Sequence, residues 1–172
     1  MNLFNYCKKL NILGTDNSIN WTILRVMLGV VMLAHGVQKT FGWFGGFGWE
    51  GSMGYFTGHV GMPAPAAAFV ILVESLGAAL LIIGFAGRIN AALIGLIMIG
   101  AFFVEHKSNG FYMNWFGNQK GEGYEFDLLL WAIAAVLTIN GSGRFSVDRW
   151  LTARRTSSHG TTNAPRYAKA TA

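Results

Sequence analysis

Four apolar runs, each near the length that crosses a bilayer, dominate the chain, at about 19–37, 65–86, 88–105 and 125–140. A spanning helix needs ~20 mostly apolar residues, fewer where flanking side chains reach back to the surface. Hydrocarbon offers backbone N–H and C=O groups no water, so such runs must satisfy themselves as helices. The expected class is therefore an all-α membrane protein, a four-helix transmembrane bundle. Composition agrees: 52% of the 172 residues are hydrophobic and 12% charged, against ~25% charged in a soluble domain. These values exclude a disordered chain, a coiled coil or a disulfide scaffold. The chain divides into a cytoplasmic segment 1–18, a transmembrane domain 19–151 and a cationic cytoplasmic tail 152–172, expected to be disordered.

An even number of spans puts both termini on one side of the membrane. That side holds Lys8, Lys9, Arg88, Arg144, Arg149, Arg154, Arg155, Arg166 and Lys169, and the other only Lys39, Lys107 and Lys120. The positive-inside rule places the termini in the cytoplasm. The net charge of +5 is thereby read as juxtamembrane charge facing anionic lipid, with no nucleic-acid partner. Lys8 and Lys9 imitate the start of a signal peptide, but Arg25 interrupts the apolar run and no A-x-A site follows, so the first span is expected to be retained. Cys7 is the only cysteine, which excludes an internal disulfide, a cysteine metal cage and a redox dithiol.

Two outward loops, 38–64 and 106–124, are rich in glycine and aromatics, as in Phe41-Gly-Trp-Phe-Gly-Gly-Phe-Gly-Trp49 and Gly110-Phe-Tyr-Met-Asn-Trp-Phe-Gly117. Trp and Tyr favour the membrane–water interface, and a short interfacial helix is expected over 53–59. Gly46-Phe-Gly-Trp-Glu-Gly51 matches G-x-G-x-x-G as a string, but it lacks the strand and helix of a dinucleotide site. Asn20-Trp-Thr22 is a glycosylation sequon by pattern alone, at the cytoplasmic start of a span. Gly29, Gly36, Gly77, Ala91, Gly95 and Gly100 are expected to let helices approach closely.

Ionisable groups inside the runs are the candidates for chemistry, because each costs at least ~2.5–3.5 kcal/mol near the bilayer centre. Arg25 and Glu74 lie at similar depth and are expected to meet. They form either a buried ion pair fixing helix register or an anion- or proton-handling site. A second group, His35, Gln38, Lys39, Glu105, His106, Glu125 and Asp127, gathers at the outer helix ends. It offers a head-group site, a proton relay or a set of metal ligands, against the plain alternative of solvated helix ends. No H-x-x-x-H or E-x-x-H spacing supports a dedicated metal site.

The stretch from Arg25 to Leu151 resembles the DoxX family of small four-helix bacterial membrane proteins. The likeness rests on an ordered series of phrases: Arg25-x-x-x-Gly29, Ala34-His-Gly-Val-Gln-Lys39, Phe44-Gly-Gly-Phe-Gly48, Gly61-Met-Pro63, Glu74 with Gly77, and Gly84-x-x-Gly87-Arg88. Ala101 to His106, Asn109-Gly-Phe111, Gly123-Tyr-Glu-Phe126, Gly141-x-Gly143 and Ser146-Val-Asp148 complete it. The resemblance implies a multi-pass bacterial inner-membrane protein linked to redox or sulfur metabolism, related to the quinone-linked small subunit of thiosulfate:quinone oxidoreductase. On this sequence it points to Arg25, His35, Lys39, Glu74, His106 and Glu125; with Asp127 added from the outer helix ends, His35, His106, Glu125 and Asp127 are the catalytic candidates and Arg25, Lys39 and Glu74 the cofactor-binding ones. The implied cofactor is a non-covalently held quinone. A redox partner protein is implied too, because the chain has no C-x-x-C-H, flavin fold or cysteine pair, and a homo-oligomer is left open. Two alternatives stand beside this: a small-solute carrier or exporter with Arg25 and Glu74 at a midplane site, and a structural or assembly protein without catalysis.

Overall fold

The computed structural model describes residues 13–159, with side chains described as far as residue 153. Among the described residues the protein is all-helical, without a strand. Helix α1, Ile19–Phe41, begins where the Ser18 hydroxyl accepts from the Asn20 amide at 3.2 Å, and ends at Gly42, whose φ of 73° is open to glycine. Helix α2, Gly48–Gly54, continues into a π turn, Tyr55–His59. Helix α3, Ala64–Ile83, contains a π turn at Val73–Gly77. Helix α4, Gly87–Asn109, passes through a π turn at Phe102–His106 near its end. Helix α5 is Glu125–Asn140 and helix α6 is Val147–His159. Helices α1, α3 and α4 are long and apolar enough to cross a membrane; α5, with 16 residues, is shorter.

Helix α1 packs against α3 and α5, and α4 packs against the same two. The shared core takes Leu28 and Met32 from α1, Ala78 and Leu81 from α3, Ala91, Ile94 and Met98 from α4, and Leu130, Ala134 and Leu137 from α5. Spacings of three and four residues put each set on one helix face. The outward faces carry Ile23, Met27, Val30, Leu76, Leu96 and Leu129, all exposed, as expected of helices whose solvent is lipid. Helices α1 and α3 touch closely because Gly36 has no side chain: a Cβ there would overlap the Glu74 carbonyl. Gly29 meets Ile82 in the same way, whereas Gly100 faces open space and makes no such contact.

The expected Arg25–Glu74 pairing does not occur. Arg25 sits in the second turn of α1, opposite the end of α3, and is 1% exposed. Its guanidinium donates to the carbonyls of Leu81 at 2.7 Å, Ser142 at 2.8 Å and Phe145 at 2.6 Å, and also to Ile82. Leu81 and Ile82 belong to the last turn of α3, where carbonyls outnumber the main-chain donors that can reach them: the Gly84 amide serves Leu81 at 3.0 Å and the Phe85 amide serves Leu80 at 3.0 Å. The Asp148 carboxylate does the converse, accepting from the amides of Ala86 and Gly87 at 2.8 and 2.9 Å and from the Ser142 hydroxyl at 2.6 Å. It thereby caps the start of α4 and holds Ala86 at a φ of 49°. Arg88 reaches the carbonyls of Gly14, Thr138 and Ile139. One end of the molecule is thus tied by side chains to main chain.

Helix also extends past the expected boundary at 151, through residue 159. The Ser146 hydroxyl accepts from the Arg149 amide at 3.2 Å, the bond that starts a helix, and Asp148 docks its first turn. The remainder of the tail, 160–172, lies outside the described residues.

Replacing Arg25 with Met removes the guanidinium's bonds to Leu81, Ile82, Ser142 and Phe145, and leaves Leu81 only its Gly84 amide. Hydrogen bonds to a charged group are worth ~1.5–3 kcal/mol each, so the variant should lose at least ~3 kcal/mol, read as a lowered unfolding midpoint in detergent. Arg25→Lys should recover only part, since an ammonium lacks the planar fork of donors.

Candidate functional site

At the opposite end from Arg25, the four long helices each contribute an ionisable side chain. Lys39 of α1 and Glu74 of α3 form an ion pair, Nζ to Oε2, at 2.5 Å, with the Glu74 side chain 7% exposed. Glu74 lies in the π turn of α3. Inserting one residue there turns the following face relative to an ordinary helix, and such bulges recur at functional sites. The partner Glu74 was expected to find in Arg25 is therefore Lys39, one turn beyond His35 on the same helix.

His106 closes the π turn of α4 and places Nδ1 2.8 Å from Oδ2 of Asp127 on α5. Asp127 is 1% exposed. An ionised carboxylate only accepts, so Nδ1 carries the proton and Nε2 is left to act on something else. His35 lies within electrostatic reach of both pairs: the charges of Lys39, Glu74 and His106 all act on it. His35, Lys39, Glu74, His106 and Asp127 thus form one cluster. Arg25 belongs to the other end of the molecule.

Glu125 has a different task. Its Oε1 accepts from the Met113 amide at 3.1 Å and the Trp115 indole at 3.3 Å, anchoring the loop after α4. Asn109 donates to the carbonyls of Glu105 and Glu122 in the same loop. Under that loop Phe111, Met113, Trp115, Glu125, Phe126, Leu128 and Leu129 line a mainly apolar pocket of 330 Å³. Leu129 and Glu125 lie opposite Asp127 on α5, so this pocket is separate from the His106–Asp127 pair. No group of three or more His, Cys, Asp or Glu side chains that could hold a metal ion occurs among the described residues.

Tyr55, in the π turn after α2, donates its hydroxyl to Oε1 of Glu105 on α4. The bond latches the loop between α1 and α3 onto the π turn that carries His106. Tyr55 was not singled out by the sequence, because a lone aromatic in a loop full of aromatics carries no distinguishing spacing. Asp148 was quoted as part of a phrase, but its role depends on where α6 turns back.

The family model described as DoxX matches residues 20–107, slightly more than half of the chain. The protein belongs to the DoxX family. The match includes Arg25, His35, Lys39, Glu74 and His106, and stops before Asp127 and Asp148. This DoxX chain is also 31% identical over 130 residues to a Bacillus subtilis (strain 168) protein named "Putative oxidoreductase CatD", covering 76% of this chain and 85% of that one. No solved structure matches the chain significantly. Family and helices together make this a membrane protein.

The Tyr55 latch is open to titration. The Glu105 hydrogen bond, then burial, then the carboxylate's charge push the phenol from 10.0 up to about 12. Raised in the fold, the phenol's contribution is complete below pH ~10 and disappears as pH climbs through the folded value. A phenolate absorbance difference between wild type and Tyr55→Phe should show one tyrosine ionising near pH 12. Ionisation near pH 10 would mean that the latch does not form.

Proposed function

We propose that this DoxX chain is the membrane subunit of a quinone-linked oxidoreductase system in a bacterial inner membrane. In this reading α1, α3, α4 and α5 cross as one bundle, both termini lie in the cytoplasm, and the His35–His106 cluster sits toward the outer face. The observation that carries the reading is the His106–Asp127 pair, a half-buried imidazole backed by a buried carboxylate, at the end of the helices where His35 also feels Lys39 and Glu74. The name of the Bacillus subtilis relative, an oxidoreductase, points the same way.

The residues fit a quinone. Its two oxygens call for donors and for groups that exchange protons, and when bound it takes up two electrons and two protons. Asp127 orients the His106 ring through Nδ1, which leaves Nε2 free to exchange a hydrogen bond or a proton with a ligand oxygen. Lys39, pinned by Glu74, supplies fixed positive charge. The glycine-rich loops latched through Tyr55 and Glu125 limit the access of water. Electrons must come from a partner protein, since the chain has one cysteine and no C-x-x-C-H sequence.

The carrier reading needed Arg25 and Glu74 at a common midplane site. Arg25 is bonded to main-chain carbonyls instead, so no observation favours that alternative.

In inner-membrane vesicles holding the chain with its co-purifying partner, His106→Ala should lower quinone-dependent turnover by about 10²-fold or more, the usual worth of a general acid–base group. Asp127→Asn should also reduce it, because an amide no longer enforces the imidazole tautomer. Normal turnover in His106→Ala, or turnover indifferent to quinone, would remove the proposal.

A further inference from the structure

Two buried polar atoms on α5 have no hydrogen-bond partner among the described residues: Oδ1 of Asp127 and Nε1 of Trp131. One only accepts and the other only donates. They are four residues apart and so share a face, with ~5–6 Å between their Cβ atoms. Side chains in a helix lean toward its N-terminus, which carries the Trp131 ring back over the turn of Asp127. The ring packs edge-on against Phe102, with centroids 5.4 Å apart. Phe102 opens the π turn that His106 closes. Asp127 to His106 and Trp131 to Phe102 are thus two rungs between the same stretches of α4 and α5.

Leaving a buried donor or acceptor unmade costs ~1–3 kcal/mol each. A single hydroxyl oxygen relieves both, since it can accept from the indole N–H and donate to the carboxylate through two bonds of ~2.8 Å. We infer that Asp127 and Trp131 form a hydroxyl-binding site beside His106, filled by a hydroxyl group from water or from a hydroxylic ligand.

The geometry sets a preference between redox forms. A carbonyl oxygen can accept from Trp131 but meets an ionised Asp127 lone pair to lone pair. A hydroxyl satisfies both groups. Where the ligand is the quinone-type molecule of the proposed function, on which this part of the inference rests, the site binds the reduced, hydroxyl-bearing form more tightly than the carbonyl form. Trp131 is then a positioning residue that selects for a hydroxyl, and Asp127 is the group that receives its hydrogen bond.

The experiment uses the full chain in nanodiscs with ¹⁵N-labelled tryptophan, the Trp131 indole signal being assigned by its loss in Trp131→Phe, which keeps an aromatic ring against Phe102. A water-soluble benzohydroquinone and the matching benzoquinone are titrated separately, and water contact is read by magnetisation transfer to the indole proton. The expected result is a shift of the indole signal at a concentration at least about 10-fold lower for the hydroquinone. Asp127→Asn, nearly the same shape, should abolish or reverse that preference, because its amide can donate to a carbonyl. Water transfer with no response to either compound supports the hydroxyl site and counts against the quinone reading. The inference is overturned if there is neither water transfer nor a ligand response. It is equally overturned if hydroquinone and quinone act alike in both the wild type and Asp127→Asn.

Discussion

Polar atoms carried into hydrocarbon must be satisfied by the chain itself, and the Arg25 guanidinium meets that demand at the most exacting place in this molecule. Helix α3 ends with more carbonyls than the amides of Gly84 and Phe85 can serve, the chain reverses over Gly84, Phe85 and Ala86, and α5 ends beside it. Arg25 serves the end of α3 and the segment after α5 at once, with bonds of 2.6 to 2.8 Å to Leu81, Ser142 and Phe145. Asp148 completes the arrangement by capping α4. One cation on α1 and one anion on α6 thereby hold together the ends of three other helices, and the register of the whole packing follows from them.

That lock divides the molecule by task. Its charges at the Arg25 end contact main chain and are spent on geometry. Those at the other end pair with one another, Lys39 with Glu74 and His106 with Asp127, with His35 in the field of both pairs. Side chains bonded to backbone carbonyls and amides are held in single positions. Side chains bonded to other titratable groups can exchange partners and protons. The π turns of α3 and α4 fall at Glu74 and at His106, where an inserted residue re-aims the side chain. Close contact of α1 with α3 at Gly36 brings the Lys39 side of α1 within reach of Glu74.

Much of this was legible beforehand. The apolar runs, the tight reversal near Gly87, the gathering of the His35 and His106 groups at one end of the helices and the DoxX phrases all follow from patterns local to the sequence. Helix α5 begins and ends where its composition changes, at Glu125 and Asn140. The partnerships were not legible. Arg25 and Glu74 have matching charge and similar depth, and pairing them was the economical expectation. It overlooked that a guanidinium has five donors and that a helix end and the loop beside it offer main-chain carbonyls to take them. Glu125 looked like its neighbour Asp127, yet two residues along a helix turn a side chain through about 200°, which sends one carboxylate to the loop and the other to His106.

The sequence by itself determined that this chain is helical, that it belongs in a membrane and which polar residues it carries there, because hydrocarbon permits few alternatives and length and hydropathy are properties of single segments. Only the tertiary structure decided which charge meets which. Lys39 takes Glu74, Asp127 takes His106, Asp148 takes the start of α4, and Trp131 packs on Phe102 with its N–H unspent. Such pairings depend on the rotation of each helix about its axis, and that rotation is set by Gly36, by the π turns and by the Arg25 lock acting together.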